Sequence, residues 1–479
     1  MKKLKGMLEG VLMLCVLALS LSGTSLASDL LPTLSLWEES AETMDVDAAV
    51  NTVEKWADVL QNAGQIDTAE GMEQMADVAE IMIYRTASRI WNDEEREHNP
   101  SIDKDAALVI DKDAISSLTE KAFAVRAELE RCLALREIEL DRELPAAVRF
   151  TMQKTNVSLT IMPDIWNISA DGAGVSAGDT TDRMNTVVIV KTPRYQISLP
   201  LHVLEDDLEE PLQIELRSIG ESSEPLVEVD VSNEQLAGFL VLSLPAEDTD
   251  SSDADIVILE NLDGEATACQ YSGLTESVDG KISSSGIYTI RRSDKASQLT
   301  DLGDLEESMR NAIKRLYNQN VTNGTSATTF SPYALITRGA FVKLIVNAIH
   351  RYNARLTPDY TDVTISNYYF HHAASAQRYK FMEGYSDHTF QGGNNLTRAH
   401  ICKILGNVLA REKYFKVPAN RSKYLKQYQD GVVSYAQDGV ALLTKIGVLR
   451  PANGKFNGSH QMSRGEVAAL LDAVLKKLI

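Results

Sequence analysis

The spacing of apolar residues divides the chain into three stretches. Val46–Asn62, Thr68–Ile90 and Ala114–Leu140 place apolar residues at helical intervals, with Asp47, Asp67 and Asp113 as start signals. From about 143 to 296 the period shortens. Runs of strand length, rich in β-branched residues, recur between turn signals at Val157–Ile161, Thr186–Val190, Gln196–Leu201, Leu212–Leu216, Leu226–Val231, Phe239–Leu244, Ile256–Leu259 and Ile287–Arg291. Beyond about 298 the helical period returns. The expected fold class is therefore multidomain α+β: an N-terminal helical bundle over 28–142, an antiparallel β-sandwich over 143–297, and an all-α region over 298–479. Trp56 and Trp91 are read as packing residues of the first part.

The last stretch says the same thing three times. Ile336-Thr337-Arg338-Gly339, Leu396-Thr397-Arg398-Ala399 and Met462-Ser463-Arg464-Gly465 are separated by Arg-to-Arg steps of 60 and 66 residues. Each Arg has a Phe eight residues earlier (Phe330, Phe390, Phe456) and an Asp 34 to 37 residues earlier (Asp301, Asp362, Asp430). A period of this length marks an array of supersecondary units that bury their apolar faces on one another. After each Arg, apolar residues fall at offsets 3, 6, 7 and 10, one face of a helix: Phe341, Leu344, Ile345, Ala348; Ile401, Ile404, Leu405, Val408; Val467, Leu470, Leu471, Val474. Thr337, Thr397 and Ser463 stand at the N-cap. Ser463 with Glu466 completes a capping box, whereas Ala340 and His400 leave the reciprocal half lost or weakened. A shorter helix precedes each long one, over Ala373–Phe381 and Gly439–Ile446 in the later two units. Gly324 and Gly384 are expected to supply positive φ in the turns that feed Phe330 and Phe390.

This pattern puts each Arg in the first turn of a helix, where a cation is disfavoured by roughly 0.3–1 kcal/mol. Two readings follow. The Arg and the free N–H groups of the helix start receive an anion together, or each Arg pairs with an acidic neighbour and pins the units to one another. Both uses are compatible.

Taken together, these landmarks resemble the S-layer homology domain, with repeats at about 298–350, 358–411 and 426–479. Repeat two is the nearest match, through Thr361-Asp362-Val363, Gly384-Tyr385-Ser386-Asp387-His388-Thr389-Phe390 and Leu396-Thr397-Arg398-Ala399. The resemblance implies a pseudo-threefold helical fold that anchors exported bacterial proteins non-covalently to cell-wall polysaccharide, typically a pyruvylated one. It also implies that Arg338, Arg398 and Arg464 contact the acidic sugar, with Asp301, Asp362, Asp430, Tyr368, Tyr435, Gly324 and Gly384 contributing to the grooves. The sequence departs from the family where its Trp is expected, which is Ser308, Tyr368 and Tyr435 here. It departs again in repeat three, which has Pro451 where the turn Gly is expected, and in repeats one and two, which lack the Glu. Arg398 marks the groove expected to bind first.

Charge sharpens this picture. The chain carries a formal net charge of −21. From Thr300 onward there are 23 basic and 13 acidic residues, a net of +10, against 24 and 55 before it, a net of −31. An acidic body on a basic foot suits an anionic polymer. Nucleic acid is not expected, since basic and aromatic residues do not interleave. Met1–Ala27 reads as a signal peptide, with Lys2, Lys3 and Lys5, the apolar run Val11–Leu21 and the Ser25-Leu26-Ala27 site. No later segment is long and apolar enough to span a membrane. Cys132, Cys269 and Cys402 are too scattered for a disulfide framework. Asp248, Asp250, Asp253 and Asp255 lie in an acidic loop that is either solvated or a Ca²⁺ site without EF-hand spacing. No nucleophile elbow, phosphate loop or metal-binding His pair occurs, so no catalytic residue and no cofactor are assigned. The expected protein is a secreted, wall-bound, non-enzymatic surface element, with a second copy in an array as a further partner. The alternative is an anchored enzyme acting on a wall polymer or polysaccharide through the β region.

Overall fold

Hydrogen-bonded strands begin earlier than the sequence pattern suggests. The computed structural model describes residues 46–90, 107–110, 112–152, 155–162, 186–200, 210–219, 225–246, 257–263, 266–272, 276–282 and 284–478. Signal-peptide residues 1–27, Trp91 and the acidic loop with Asp248, Asp250, Asp253 and Asp255 lie outside the described residues. Helices α1 (Val46–Asn62), α2 (Ala69–Ile90) and α3 (Lys112–Leu135) form near their expected places. Helix α3 stops at Leu135 rather than Leu140. Glu137 takes φ 59°, Ile138 N donates to the Leu133 carbonyl (3.0 Å) and Glu137 N to that of Ala134 (3.0 Å), a Schellman stop.

Between α2 and α3 lies β1 (Ala107–Ile110), so 28–142 is not wholly helical. This strand pairs in parallel with β3 (Val157–Ile161). Four apolar residues in a row carry no period that separates strand from helix. The remaining strands are β2 (Ala146–Thr151), β4 (Thr186–Lys191), β5 (Gln196–Pro200), β6 (Leu212–Ser218), β7 (Leu226–Val231), β8 (Val241–Pro245), β9 (Val257–Asn261), β10 (Ala266–Thr267), β11 (Cys269–Ser272), β12 (Ser277–Lys281) and β13 (Gly286–Arg292), with the short helix α4 (Glu234–Ala237) between β7 and β8. They form a seven-stranded sheet in the order β1-β3-β6-β7-β13-β9-β10 and a six-stranded sheet in the order β11-β12-β8-β5-β4-β2. Each sheet carries one parallel pair, β1 with β3 and β2 with β4, so neither is purely antiparallel as expected.

Alternation along β4 positions the first helices. Val188 and Val190 enter the core between the sheets, while Ile189 joins α1, α2 and α3 on the opposite face. Ala146, Val148 and Phe150 of β2 point inward in the same way, and Ala147 faces the helices. The three helices thus use the outer face of the six-stranded sheet as part of their own core. Strand β12 escaped the pattern because Ser-Val-Asp-Gly-Lys has one β-branched residue. Gly280 packs closely there, since a Cβ would lie 2.8 Å from Leu259 Cδ2 and 3.0 Å from Cys269 Cβ.

The C-terminal region pairs short helices with long ones in a cycle. The short helices are α5 (Glu307–Asn318), α7 (Phe370–Arg378) and α10 (Gln437–Lys445). The long ones are α6 (Arg338–Ala348), α8 (Arg398–Glu412) and α11 (Arg464–Leu478), with the small α9 (Arg421–Leu425) between the second and third units. Helix α7 packs on α6, α10 on α8, and α5 on α11, so each short helix rests on the long helix of the preceding unit and the first closes onto the last. A ring of backbone bonds seals the closure. Ile336 N donates to the Met462 carbonyl (3.1 Å), Met462 N to that of Leu396 (3.0 Å), and Leu396 N to that of Ile336 (3.1 Å).

Buried charge joins this region to the sheets. Arg351, just past α6, makes a bidentate pair with Glu412 at the end of α8 (2.9 and 2.7 Å). It also donates to the Gly238 carbonyl (2.7 Å) and stacks 3.5 Å over Phe239. Lys281 of β12 reaches the same Glu412 (2.9 Å). Burial raises the Glu412 pKa, but Arg351 and Lys281 outweigh it and hold the carboxyl at about 2. His350 sits against Gly238, where a Cβ would lie 2.3 Å from the His350 carbonyl oxygen. Burial, then Lys281 and Arg351, press the His350 pKa down to about 3, and burial presses that of His372 to about 4.

The sign of the resulting pH dependence follows. A histidine whose folded pKa is depressed below 6.5 binds more protons when unfolded, so its share of stability is whole above 6.5 and lost as pH falls. Within that window each group costs about 1.4 kcal/mol per pH unit. The melting temperature of the full chain should fall from pH 6.5 towards 4, and His350→Gln should flatten the slope. Glu412 adds a second loss between about 4.5 and 2. A wild-type melting temperature that is level from pH 7 to 4 would contradict this account.

Candidate functional site

The three seams between consecutive helical units carry the repeated arginines. Each Arg starts a long helix and crosses to the turn of the next unit. Arg338 is buried, donates through Nη2 to the Glu383 carbonyl, and lies 4.7 Å over Phe390 and 5.1 Å over Tyr385. Arg464 does the same against the first unit, through Nε to the Phe330 carbonyl (3.0 Å), Nη2 to that of Asn323 (2.8 Å), and 4.7 Å over Phe330. Arg398 differs. Among the described residues its guanidinium has one polar partner, Glu466, at 3.5 Å. Its side chain remains 19% exposed. The Nε atoms of Arg338 and Arg398 are buried and have no hydrogen-bond partner among the described residues. Burial lowers the pKa of Arg338 and of Arg464, opposed for Arg464 by Asp301. Two of the three arginines therefore bind backbone carbonyls rather than the carboxylates expected of structural pairing.

The helix starts have no N–H groups left for an anion, which corrects the joint-binding reading. Arg338 N donates to the Asn394 carbonyl (2.8 Å) and Gly339 N to that of Gly392 (2.8 Å). Arg398 N and Ala399 N donate to His460 (2.9 Å) and Gly458 (3.1 Å), and Arg464 N and Gly465 N to Ala334 (2.8 Å) and Pro332 (2.8 Å). Ala340 N goes to the Thr337 hydroxyl. A buried helix start must be satisfied somehow, and the adjoining unit supplies the acceptors. His400 also does better than expected. Its Nδ1 accepts from Thr397 N at 3.4 Å, so the second unit has a complete capping box built with histidine. Burial, with Arg338 and Lys403 nearby, lowers the His400 pKa and favours the neutral acceptor.

The three aspartates brace the turns that face the arginines. Asp301 accepts from Phe330 N and Ser331 N (3.0 and 2.7 Å), Asp362 from Phe390 N and Gln391 N (2.6 and 2.7 Å), and Asp430 from Phe456 N and Asn457 N (2.7 and 2.8 Å). Ser331, Gln391 and Asn457 all have φ between 53° and 60°, and the carboxylate locks that bend. These backbone bonds hold the Asp430 pKa low. Gly324 and Gly384 are not in the left-handed region, contrary to expectation. They are small because a Cβ would meet Ser326 O at 2.5 Å in one case and Tyr360 Cε1 at 2.5 Å in the other. The positive φ falls instead at Asn320, Lys380 and Gly447, which end the short helices.

Tyr368 and Tyr435 are exposed, at 60% and 47%, and Tyr435 stacks on His400 with 5.5 Å between centroids. The inward aromatic of the second unit is Tyr369, which sequence reasoning missed. A Cβ at Gly339 would lie 2.4 Å from its ring and one at Gly392 2.2 Å from its hydroxyl, so both glycines make room for it. Tyr360 and Tyr428, two residues before their aspartates, pack on Phe390 and Phe456. Their common register with the aspartates was a usable signal. Cys132, Cys269 and Cys402 are buried and free. Among the described residues no cluster of His, Cys, Asp or Glu could hold a metal ion.

Comparison with known proteins agrees with this geometry. The S-layer homology domain matches residues 302–342 and 359–402. The chain therefore carries S-layer homology repeats in its C-terminal region. The match ends at 402, while residues 426–478 repeat the same turn, brace and capped helix. An endoglucanase of Bacillus sp. (strain KSM-635) is 25% identical over 169 residues, which is 35% of this chain and 17% of that protein. This chain thus spans about a sixth of that relative. The S-layer homology repeats place the chain among cell-surface proteins. No helix among the described residues is long and apolar enough to cross a membrane.

If the aspartates act as braces, Asp362→Ala should lower unfolding stability by about 1–3 kcal/mol, the worth of hydrogen bonds to a charged group. Urea denaturation measures this. Wall binding per folded molecule should stay near the wild-type level, and a variant of unchanged stability that fails to bind would reverse the assignment.

Proposed function

We propose that the chain is held non-covalently to an anionic, pyruvylated cell-wall polysaccharide by all three C-terminal repeats, with the preceding residues forming a structural or adhesive body. The observation that carries this reading is the Arg398 seam. Among the described residues its guanidinium, partly exposed, is tied only to Glu466 at 3.5 Å and keeps an unpartnered Nε. A carboxylate on a sugar would offer Arg398 a shorter charge-assisted hydrogen bond than the 3.5 Å contact with Glu466. Arg338 and Arg464 spend donors on backbone carbonyls and would bind more weakly. Tyr368, Tyr435 and Tyr385 present exposed faces beside the seams for sugar rings, and Gly324 and Gly384 keep the walls thin. Asp301, Asp362 and Asp430 would act through the turns they hold. The net charge of +10 from Thr300 onward concentrates an anionic polymer near the seams. Several weak contacts to one strand then add through effective concentration. The body, net −31 and joined rigidly to the repeats, would project from the wall and meet other copies in an array.

Arg398→Ala should reduce co-sedimentation of the full chain with purified wall on the order of tenfold, the worth of one charged hydrogen bond, with helical circular dichroism unchanged. Chemical removal of the pyruvyl groups should have a similar effect on the wild type. Equal sedimentation of variant and parent would remove Arg398 from the site.

The partial match to an endoglucanase favours a second reading, an anchored enzyme acting on a polysaccharide. Incubation of the purified chain with soluble cellulose derivatives and wall glycan tests it. Release of reducing ends above the blank would support an enzyme, and none would leave the binding role alone.

A further inference from the structure

A cavity of about 440 Å³ lies where α2, the six-stranded sheet and the far ends of the long helices meet. Its volume falls within the range of small-molecule sites. It is remote from the seams. The seams sit at the first residues of α8 and α11, and the cavity is lined by residues at their last turns, including Glu412, Lys413 and Lys477. Fifteen residues of helix separate the two, about 22 Å.

The chemistry of the lining narrows the ligand. Six acidic and six basic side chains border the cavity, so its net charge is zero and neither an anion nor a cation is selected. Many of these charges already answer one another. Arg351 and Lys281 share Glu412, Arg142 pairs with Asp77 and Glu80, and Lys477 pairs with Glu73. What remains for a ligand is hydrogen-bonding capacity at neutral cost, from Gln196, Ser198 and Gln270 on the sheet side.

Two carboxyl groups of unlike character face the same phenol. Tyr84 donates to Glu80, and its ionisation is opposed by burial first, then by Glu80 and, more weakly, by Asp279. Burial raises the Asp279 pKa against the pull of Ser243, Ser277 and Lys413. Burial also acts on Glu80, but Lys413 and Arg142 outweigh it and lower its pKa.

We propose that this cavity binds a neutral, hydroxyl-rich ligand, a sugar of one or two rings, at a site separate from the wall-binding seams. Alternating donors and acceptors without net charge, edged by the rings of Tyr84, Phe239 and Tyr271, match the hydroxyls and the apolar face of such a ring. Because three parts of the chain build the cavity, occupancy would also tighten their union.

Titration calorimetry of the full chain with glucose, N-acetylglucosamine and cellobiose tests this. At least one should bind saturably. Tyr84→Phe, which removes one hydroxyl, and Gln270→Trp, which fills the cavity, should each raise Kd at least tenfold while wall co-sedimentation stays at the wild-type level. Loss of sugar binding in either variant with native circular dichroism supports the site. Absence of binding by all three sugars, binding that survives both variants, or binding abolished by Arg398→Ala would overturn it. Because wall binding is read separately, failure here is distinguishable from failure of the anchoring role.

Discussion

Three backbone hydrogen bonds, Ile336 to Met462, Met462 to Leu396 and Leu396 to Ile336, close the C-terminal units into a ring, and the rest of the region is arranged around that closure. A helix start brought into the interior needs acceptors for its first N–H groups. The ring places the turn of one unit directly over the helix start of another, so the same geometry that closes the structure also satisfies it. No unit is complete without its neighbour. The short helix of each unit packs on the long helix of the one before, and α5 of the first closes on α11 of the last.

The closure decides what the arginines do. With the helix N–H groups committed to neighbouring carbonyls, any anion at a seam must be held by guanidinium and aromatic groups, without help from free amides. Arg338 and Arg464 are themselves partly consumed by carbonyls across their seams, whereas Arg398 is not. The three seams, nearly identical in sequence, are therefore unequal in chemistry. The aspartates complete this arrangement. Each holds the bend after a Phe, and that Phe, in the first two units, supplies the ring over which the arginine lies.

A second consequence concerns the union of the repeats with the body. Glu412 ends α8, yet it pairs with Arg351 from the first unit and Lys281 from the sheet. Gln319 of the first unit reaches the Cys269 carbonyl of β11 (3.0 Å), and Lys445 of the third reaches that of Leu140 (3.0 Å). Charges removed from water are costly unless paired, and breaking one partner of such a set costs about 3–5 kcal/mol. The body is therefore held to the anchor in one orientation. The cavity at this junction exists only because the parts meet.

Local rules explain what was legible in the chain. The long helices, their Thr and Ser caps, the threefold recurrence of Phe and Asp, and most strands of the sheets follow from periodicity and capping, which act within a few residues. Short or irregular pieces were hidden for the same reason. Strand β1 is four residues without a period, and β12 carries Lys281, whose partner Glu412 comes from the C-terminal region. Whether Gly324 and Gly384 serve φ or close approach, whether Tyr368 or Tyr369 turns inward, and which N–H groups stay free all depend on atoms far away in sequence. The chain by itself determined that three alike units exist and where their arginines lie. Only the tertiary structure decided which partners those arginines take, because hydrogen-bond acceptors are contributed by whichever unit the closure brings alongside.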